Sequence, residues 1–285
     1  MGGKKSKPVP AEAFDKPWRN VDWNTKDRLK TELSQFQLNH PEISRFRILL
    51  HGPVGAGKSC FINSVMSVFK GKIVVRAVEE TSAGKSCTKT YETYKITDAY
   101  SEILPFVLND VMGLEDRRED GIDPEDIIKA LRGQVKEGYK FNPVSPLCES
   151  DPSFINEPSP NDKVHCLVSV VPANSISLLA NEVVQKMQTV RKEALRLGIP
   201  HVVLMTKIDA NVCPLVKKDL TEVYKSVKIK EKMVECSHRL GPPVKCIFPV
   251  SNYYEESETS DKKDVLILLA LKAIAGFVKD YIEDL

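Results

Sequence analysis

The sequence lacks several features that would place it outside the ordinary globular class. Its seven cysteines include no C-x-x-C pair, so neither a disulfide framework nor a zinc ribbon is indicated. The 41 basic and 39 acidic residues give a formal net charge of +2, without the basic excess typical of nucleic-acid binding, and no nucleic-acid partner is expected. The longest apolar run, residues 265–278, is interrupted by Lys272 and falls short of a membrane span. Because residues 2–19 contain no apolar stretch, no signal peptide is expected, and we predict a cytoplasmic protein.

What is present is a chain of 285 residues, of which 42% are hydrophobic, enough to bury a core. Several predicted strands are continuous apolar runs, as expected for strands covered on both faces. Alternating strands and helices predict an α/β fold with a mainly parallel sheet and helices on both sides. The predicted strands are residues 46–50, 91–96, 103–108, 164–171, 201–205 and 244–250, and the predicted helices are residues 58–69, 124–132, 177–197, 215–227 and 261–282.

The chain divides into a basic tail, a helical extension and one large domain. Residues 1–16 are expected to be a flexible tail, residues 17–42 to carry a short amphipathic helix over 24–39, and residues 43–285 to form the domain, with an irregular insertion at about 136–162. The tail begins MGGKKS, which matches the pattern for myristoylation of Gly2, and its lysines could add electrostatic attraction to a membrane. A solubilising tail that happens to begin with glycine remains the alternative.

The strongest motif is GPVGAGKS at residues 52–59, which fits the phosphate-loop pattern G-x-x-x-x-G-K-[ST]. Its glycines permit backbone conformations and close approach that a Cβ would obstruct. The backbone N–H groups of residues 54–60 are expected to point at phosphate oxygens, aided by the positive end of the following helix. Lys58 is expected to bridge the β- and γ-phosphates, and the Ser59 hydroxyl to bind Mg²⁺. A predicted strand before the motif and a helix after it favour this function over an ordinary glycine-rich turn.

The choice of base is predicted from TKID at residues 206–209, directly after the strand at 201–205. The Asp209 carboxylate can accept hydrogen bonds from guanine N1–H and from the N2 amine, whereas adenine offers neither donor. An unmatched buried carboxylate can discriminate by about 10⁴-fold, so the motif favours guanine. The stem of Lys207 is expected to cover the base. ATP becomes the expected nucleotide only if this segment is not the base-recognition loop.

Three further segments complete the candidate site. In DVMG at residues 110–113, Asp110 is expected to hold Mg²⁺ through water and the Gly113 N–H to contact the γ-phosphate. Thr88 is the predicted magnesium ligand of the triphosphate state, with Thr81 and Thr90 as open alternatives. Ser251 and Asn252 end the last strand, where a backbone N–H would meet guanine O6. The candidate nucleotide-binding residues are therefore Gly52, Val54, Gly55, Ala56, Gly57, Lys58, Ser59, Cys60, Gly113, Thr206, Lys207, Asp209, Ser251 and Asn252; the candidate magnesium ligands are Ser59, Thr88 and Asp110; and the candidate catalytic residues are Lys58 and Thr88.

In this order the motifs resemble those of the translation-factor-related P-loop GTPases. The run RILLHGPVGAGKS at residues 47–59, FINSV at 61–65 and PWR at 17–19 resemble more closely the interferon-induced protein 44 and 44-like family. The resemblance covers nearly the whole chain from about Pro17. It implies a P-loop GTPase-like three-layer fold and a cytoplasmic protein that binds GTP or GDP with Mg²⁺ in the interferon-linked antiviral response.

One departure bears on hydrolysis. Ras-like GTPases carry a glutamine directly after D-x-x-G to orient water, and here that residue is Leu114. We therefore expect unstimulated turnover below the roughly 10⁻⁴ s⁻¹ of isolated small GTPases. Two functions stay open: a switch with slow or partner-stimulated hydrolysis, acting as a nucleotide-dependent dimer or oligomer, and a non-hydrolysing GTP-binding scaffold that acts through protein or membrane contacts.

Overall fold

A computed structural model describes residues 12–77, 89–117 and 120–285. Gly2, Thr81 and Thr88 lie outside the described residues, so the predictions made for them remain predictions. The described strands are β1 Phe46–His51, β2 Glu92–Thr97, β3 Ile103–Asp110, β4 Cys166–Pro172, β5 His201–Thr206 and β6 Ile247–Pro249. The described helices are α1 Lys26–Ser34, α2 Lys58–Lys70, α3 Pro124–Leu131, α4 Asn181–Arg196, α5 Pro214–Lys218, α6 Val227–Leu240 and α7 Asp261–Glu283.

The strands form one six-stranded sheet in the order β2-β3-β1-β4-β5-β6. Only the edge pair β2–β3 is antiparallel, and the other neighbours run parallel, so the predicted mainly parallel sheet is confirmed. After β1 the chain forms β2 and β3 on one side of β1, and it then crosses to form β4 on the other side. The carboxyl end of β1 therefore lies at a topological switch point, where open α/β sheets commonly bind ligands.

Continuous apolar runs in the central strands fill a core on each face of the sheet. On one face Leu167 and Val203 pack with α3, α4 and α6, and on the other Val168 and Leu204 pack with α1, α2 and α7. All seven residues of β4 are buried, as expected for a strand with helices on both sides. The result is a three-layer arrangement that fixes the loops at the carboxyl ends of β1, β4 and β5.

The predicted helix at 215–227 is wrong. Helix α5 ends at Lys218 because Asp219 is extended, with φ −147° and ψ 111°, and its side chain accepts from the Thr221 N–H in a short 3₁₀ turn. Helix α6 then begins at Val227, where the Ser226 hydroxyl accepts from the Ile229 N–H at 3.1 Å. The last predicted strand, 244–250, is also shorter than predicted. Residues 244–246 form a 3₁₀ turn, and only Ile247–Pro249 form the strand β6.

The N-terminal extension and the insertion both pack against the domain. Helix α1 is shorter than predicted and buries Leu29 and Leu33 in the core that α7 also fills. Residues 136–162, all described, contain no helix or strand, yet they bury the rings of Tyr139 and Phe141 in the opposite core. Within the described part of the chain, no helix is both long enough and apolar enough to cross a membrane.

Candidate nucleotide-binding site

The phosphate loop connects β1 to α2 and requires glycine at both ends. A Cβ on Gly52 would lie 2.1 Å from the backbone oxygen of Val170, closer than any real contact. Gly57, the residue before α2, has φ +92°, in the left-handed region that favours glycine. The loop is thereby pressed against β4 and turns directly into a helix whose first N–H groups face its interior.

Lys58 is folded over this loop. Its ammonium donates to the backbone oxygens of Gly52 at 3.4 Å and Pro53 at 3.2 Å, and the residue is 4% exposed. A buried ammonium at a helix N-terminus makes this end of the site electropositive, as a phosphate group requires.

Two of the N–H groups predicted to face phosphate are used elsewhere. The Val54 N–H donates to the Leu114 oxygen at 3.1 Å, and the Ala56 N–H donates to the Pro53 oxygen at 3.2 Å. In this structure the neighbouring chain and the turn of the loop itself satisfy these two N–H groups, and their contact with phosphate stays a prediction.

The candidate magnesium ligands Ser59 and Asp110 lie together. The Ser59 hydroxyl donates to Asp110 Oδ2 at 2.7 Å, although the two residues come from different elements, at the start of α2 and the end of β3. Hydroxyl and carboxylate oxygens are the hard donors that Mg²⁺ prefers, so this pair fits the ion. Thr90, the described alternative to Thr88, donates its hydroxyl to Glu92 at 2.8 Å.

The segment after β5 that is predicted to recognise the base is joined directly to the phosphate loop. Thr206 is fully buried and donates its hydroxyl to the Ala56 oxygen at 2.6 Å. The next residue, Lys207, has φ +55°, which turns the chain sharply so that Asp209 faces the same side. The Ser251 hydroxyl then donates to Asp209 Oδ2 at 2.5 Å and fixes the carboxylate.

Asn252 joins the two halves of the site from the other side. Its Nδ2 donates to the Gly57 oxygen at 3.0 Å, while its buried Oδ1 has no hydrogen-bond partner among the described residues. Buried polar atoms are rarely left unpaired, so this acceptor is suited to a donor group of a ligand.

These elements enclose one cavity of about 720 Å³ at the carboxyl edge of the sheet. The phosphate loop and Asp209 both line this cavity, whose size suits a nucleotide. The predicted residues that line it are Val54, Gly55, Gly57, Lys58, Ser59, Cys60, Lys207, Asp209 and Asn252. The other predicted residues are buried and do not line the cavity: Gly52, Ala56, Gly113, Thr206 and Ser251.

Six lining residues were not predicted: Asn174, Ala210, Tyr254, Glu255, Glu256 and Lys263. Asn174 follows β4, so the rule that ligands bind at the carboxyl ends of strands could have identified it. Lys263 belongs to the first turn of α7, and no motif in the sequence marks it.

Leu114, at the position of the Ras-like glutamine, is only 1% exposed and belongs to the core beside α3 and α4. Its backbone N–H donates to the Gly52 oxygen at 3.0 Å, and its oxygen accepts from Val54, so this segment pairs with the phosphate loop. Lys186 of α4 holds the next residues by donating to the Glu115 oxygen at 2.6 Å. The side chain of Leu114 therefore points into the protein and not toward a reacting phosphate.

A buried polar network lies beneath the phosphate loop. The Ser169 hydroxyl hydrogen-bonds to Nε2 of His51 at 2.7 Å and to Nε2 of His201 at 2.8 Å. Burial lowers the pKa of His201 to about 3 and, with smaller contributions from His201 and Lys58, holds the pKa of His51 well below its ordinary value. Both imidazoles are therefore neutral at physiological pH and add no charge to the site.

The sheet order, the phosphate loop at the end of β1 and the T-K-x-D segment after β5 define a P-loop GTPase-like α/β protein. The chain is 37% identical over 244 residues to interferon-induced protein 44 of Pan troglodytes and 36% identical over 244 residues to that of Homo sapiens. It is 34% identical over 261 residues to the human interferon-induced protein 44-like. Over most of its length the chain is a homologue of the interferon-induced protein 44 and 44-like proteins, which confirms the resemblance inferred from the motifs.

The alignments cover 85% to 91% of this chain but 54% to 57% of those relatives, so the chain spans about half the length of the curated proteins it matches. No protein-family model matches the chain. Two solved structures are similar at low level: a Thermus thermophilus protein (TM-score 0.39, 15% identity, 76% of this chain and 24% of that one) and Era in complex with MgGDPNP and nucleotides of 16S ribosomal RNA (TM-score 0.36, 12% identity, 73% and 51%). Because both scores lie below 0.5, neither likeness supports a conclusion about this chain.

Proposed function

We propose that the protein is a guanine-nucleotide-binding switch that takes GTP or GDP together with Mg²⁺. The observation that carries this proposal is that the phosphate loop and Asp209 line the same cavity of about 720 Å³. Neither element alone specifies a nucleotide, but a single cavity lined by both offers groups suited to a phosphate and to a base.

Base selection would depend on Asp209. A carboxylate accepts and does not donate, so it pairs with the two N–H groups of guanine and repels the bare N1 of adenine. Ser251 holds that carboxylate at 2.5 Å, which supports a fixed orientation before any ligand binds. An Asp209 carboxylate held in a fixed orientation favours GTP over ATP as the ligand.

The phosphate end would be held by Lys58, the N–H groups at the start of α2 and Mg²⁺. Ser59 and Asp110 would hold the ion, which would neutralise phosphate charge when bound. Thr88 is proposed as the additional magnesium ligand and Gly113 as the γ-phosphate contact. Gly113 lies against the phosphate loop, since a Cβ there would meet Val54 Cγ2 at 2.5 Å.

A second candidate function is a GTP-binding scaffold that does not hydrolyse its ligand. The burial of Leu114 favours it, because this position offers no side-chain amide that could orient water. Lys186 also holds the backbone of the same segment, which opposes a large movement. Hydrolysis, where it occurs, would then need a group from a partner or from a second copy of this chain.

The names of the relatives suggest the biological setting. We propose that this protein is interferon-induced and acts in innate antiviral defence within the cytoplasm. Acylation of Gly2, aided by the neighbouring lysines, would give it a membrane-associated form.

Nucleotide identification from purified protein tests the binding proposal. We expect guanine nucleotide to be recovered, and GTP with Mg²⁺ to raise the melting temperature of the wild type but not of Lys58→Ala. Recovery of adenine nucleotide, or equal stabilisation of both proteins, would contradict it. GTP turnover per molecule measured at rising protein concentration separates the two functions: an increase supports a switch completed by a second copy, and no turnover at any concentration supports the scaffold.

A further inference from the structure

Lys263 reaches from the first turn of α7 into the wall of the cavity beside Asp209. The residue is 9% exposed, and its ammonium lies 3.5 Å from Asp209 Oδ2. The same ammonium donates to the Asn252 oxygen at 3.0 Å and forms an ion pair with Glu256. Lys263 thus contacts the base-recognising carboxylate and the loop that follows β6.

These contacts engage the ammonium group on several sides. It donates hydrogen bonds to Asn252 and Glu256, and the carboxylate of Asp209 lies at ion-pair distance, 3.5 Å. Lys263 is therefore placed to act on a bound base through Asp209 and through the loop after β6.

The contact with Asp209 restricts how its carboxylate can rotate. Lys263 and the Ser251 hydroxyl both approach Oδ2, from α7 and from the loop after β6. Two contacts at this oxygen restrict the rotation of the carboxylate more than one contact does, and a planar pair of donors such as guanine N1–H and N2–H requires a defined carboxylate plane.

The contact with Asn252 orients the adjacent peptide. Lys263 holds the Asn252 carbonyl, and the Tyr253 N–H of the same peptide donates to the Ser64 hydroxyl at 2.8 Å. With both ends of this peptide fixed, the loop that would meet guanine O6 is held against α2 and α7.

We propose that Lys263 is a positioning residue that sets the preference of the site for guanine over hypoxanthine, the base that lacks the N2 amine. The proposal depends on the guanine-binding function proposed above. Without Lys263 the Ser251 hydroxyl alone would hold Oδ2, so the Asp209 carboxylate would be less restricted in its rotation. The bond to the N2 amine, which only guanine makes, would then be weakened more than the phosphate contacts that all nucleotides share.

The test compares GDP and IDP affinities by calorimetry in the wild type, Lys263→Met, Lys263→Gln and Lys263→Arg. Lys262→Met is the matched control, because the adjacent Lys262 pairs with Asp219 at 3.0 Å outside the cavity. We expect Lys263→Met to lower the GDP-to-IDP affinity ratio about tenfold, since a charge-assisted contact is lost. Lys263→Gln, which keeps an N–H donor, should fall between, Lys263→Arg should restore most of the ratio, and Lys262→Met should leave it unchanged.

A merely structural lysine would give a different pattern. If Lys263→Met or Lys263→Gln lowers the melting temperature while the GDP-to-IDP ratio stays within about twofold of the wild type, the inference is overturned. Tighter GDP binding in Lys263→Met would also overturn it, because Lys263 would then compete with the base for Asp209. A wild type that shows no preference for GDP over ADP contradicts the proposed function itself, which distinguishes the two failures.

Discussion

Replacing Leu114 by glutamine, the residue that Ras-like GTPases use, should destabilise the protein and leave hydrolysis unrepaired. Leu114 is 1% exposed, so the substitution loses part of a buried apolar contribution of about 1.5 to 3 kcal/mol. It also buries an amide among apolar neighbours, at a cost of about 1 to 3 kcal/mol. We expect the free energy of unfolding to fall by about 2 to 5 kcal/mol, a large share of the total for a domain.

The assay combines urea unfolding with single-turnover GTP hydrolysis. A loss of this size lowers the melting temperature of a domain this large by about 2 °C for each kcal/mol. Leu114→Met is the control, since a swap of similar volume should cost less than about 1.5 kcal/mol. If Leu114→Gln keeps wild-type stability and raises turnover toward that of an active small GTPase, the buried orientation of this side chain is refuted.

Three further outcomes follow from the same structure. Ser169→Ala should lower the free energy of unfolding by at least about 2 kcal/mol, because it leaves the Nε2 atoms of His51 and His201 without partners; a change below about 0.5 kcal/mol in urea unfolding would contradict this. The free energy of unfolding should fall as the pH drops below about 6.5. Burial lowers the pKa of His201 to about 3 and that of His165 to about 4, so these histidines take up protons in the unfolded chain at a pH where they stay neutral in the folded one. The loss should reach about 2 kcal/mol per histidine by about pH 5, and unfolding curves that coincide at about pH 7.5 and pH 5 would oppose it. Asp110→Asn should reduce the Mg²⁺-dependent part of GTP affinity, measured with and without EDTA, and equal Mg²⁺ dependence in both proteins would argue against Asp110 as a ligand.

Much of the site could be predicted because its motifs act through local backbone geometry. Gly52 and Gly57 stand where a Cβ would clash or the backbone is left-handed, so the phosphate loop is encoded within the short segment 52–59. The apolar runs of β1, β4 and β5 likewise report burial on both faces, which gives a parallel sheet. The elements that local chemistry determines were therefore the ones that sequence reasoning located.

The remaining features depend on contacts between distant parts of the chain. Lys263 reaches Asp209 across 54 residues of sequence, and nothing near Lys263 marks that contact. The use of the Val54 N–H by Leu114 likewise depends on how two separate loops meet. Helix α6 is different, because local signals do mark it. Ser226 is a favourable N-cap residue, and the buried residues follow helical spacing: Ile229, Met233, Cys236 and Leu240. The helix predicted from the sequence was instead assigned to the apolar segment before them.

The central claim is that one nucleotide lies between the phosphate loop and Asp209. Its most direct test is the affinity of Asp209→Asn for GTP and XTP, because the asparagine NH₂ would face the N2 amine of guanine, donor against donor, but would donate to the additional oxygen of xanthine. We predict that GTP binding weakens by about 100-fold or more while XTP binding strengthens, with the phosphate loop unchanged. Unchanged GTP affinity with no gain for XTP would show that the base binds elsewhere.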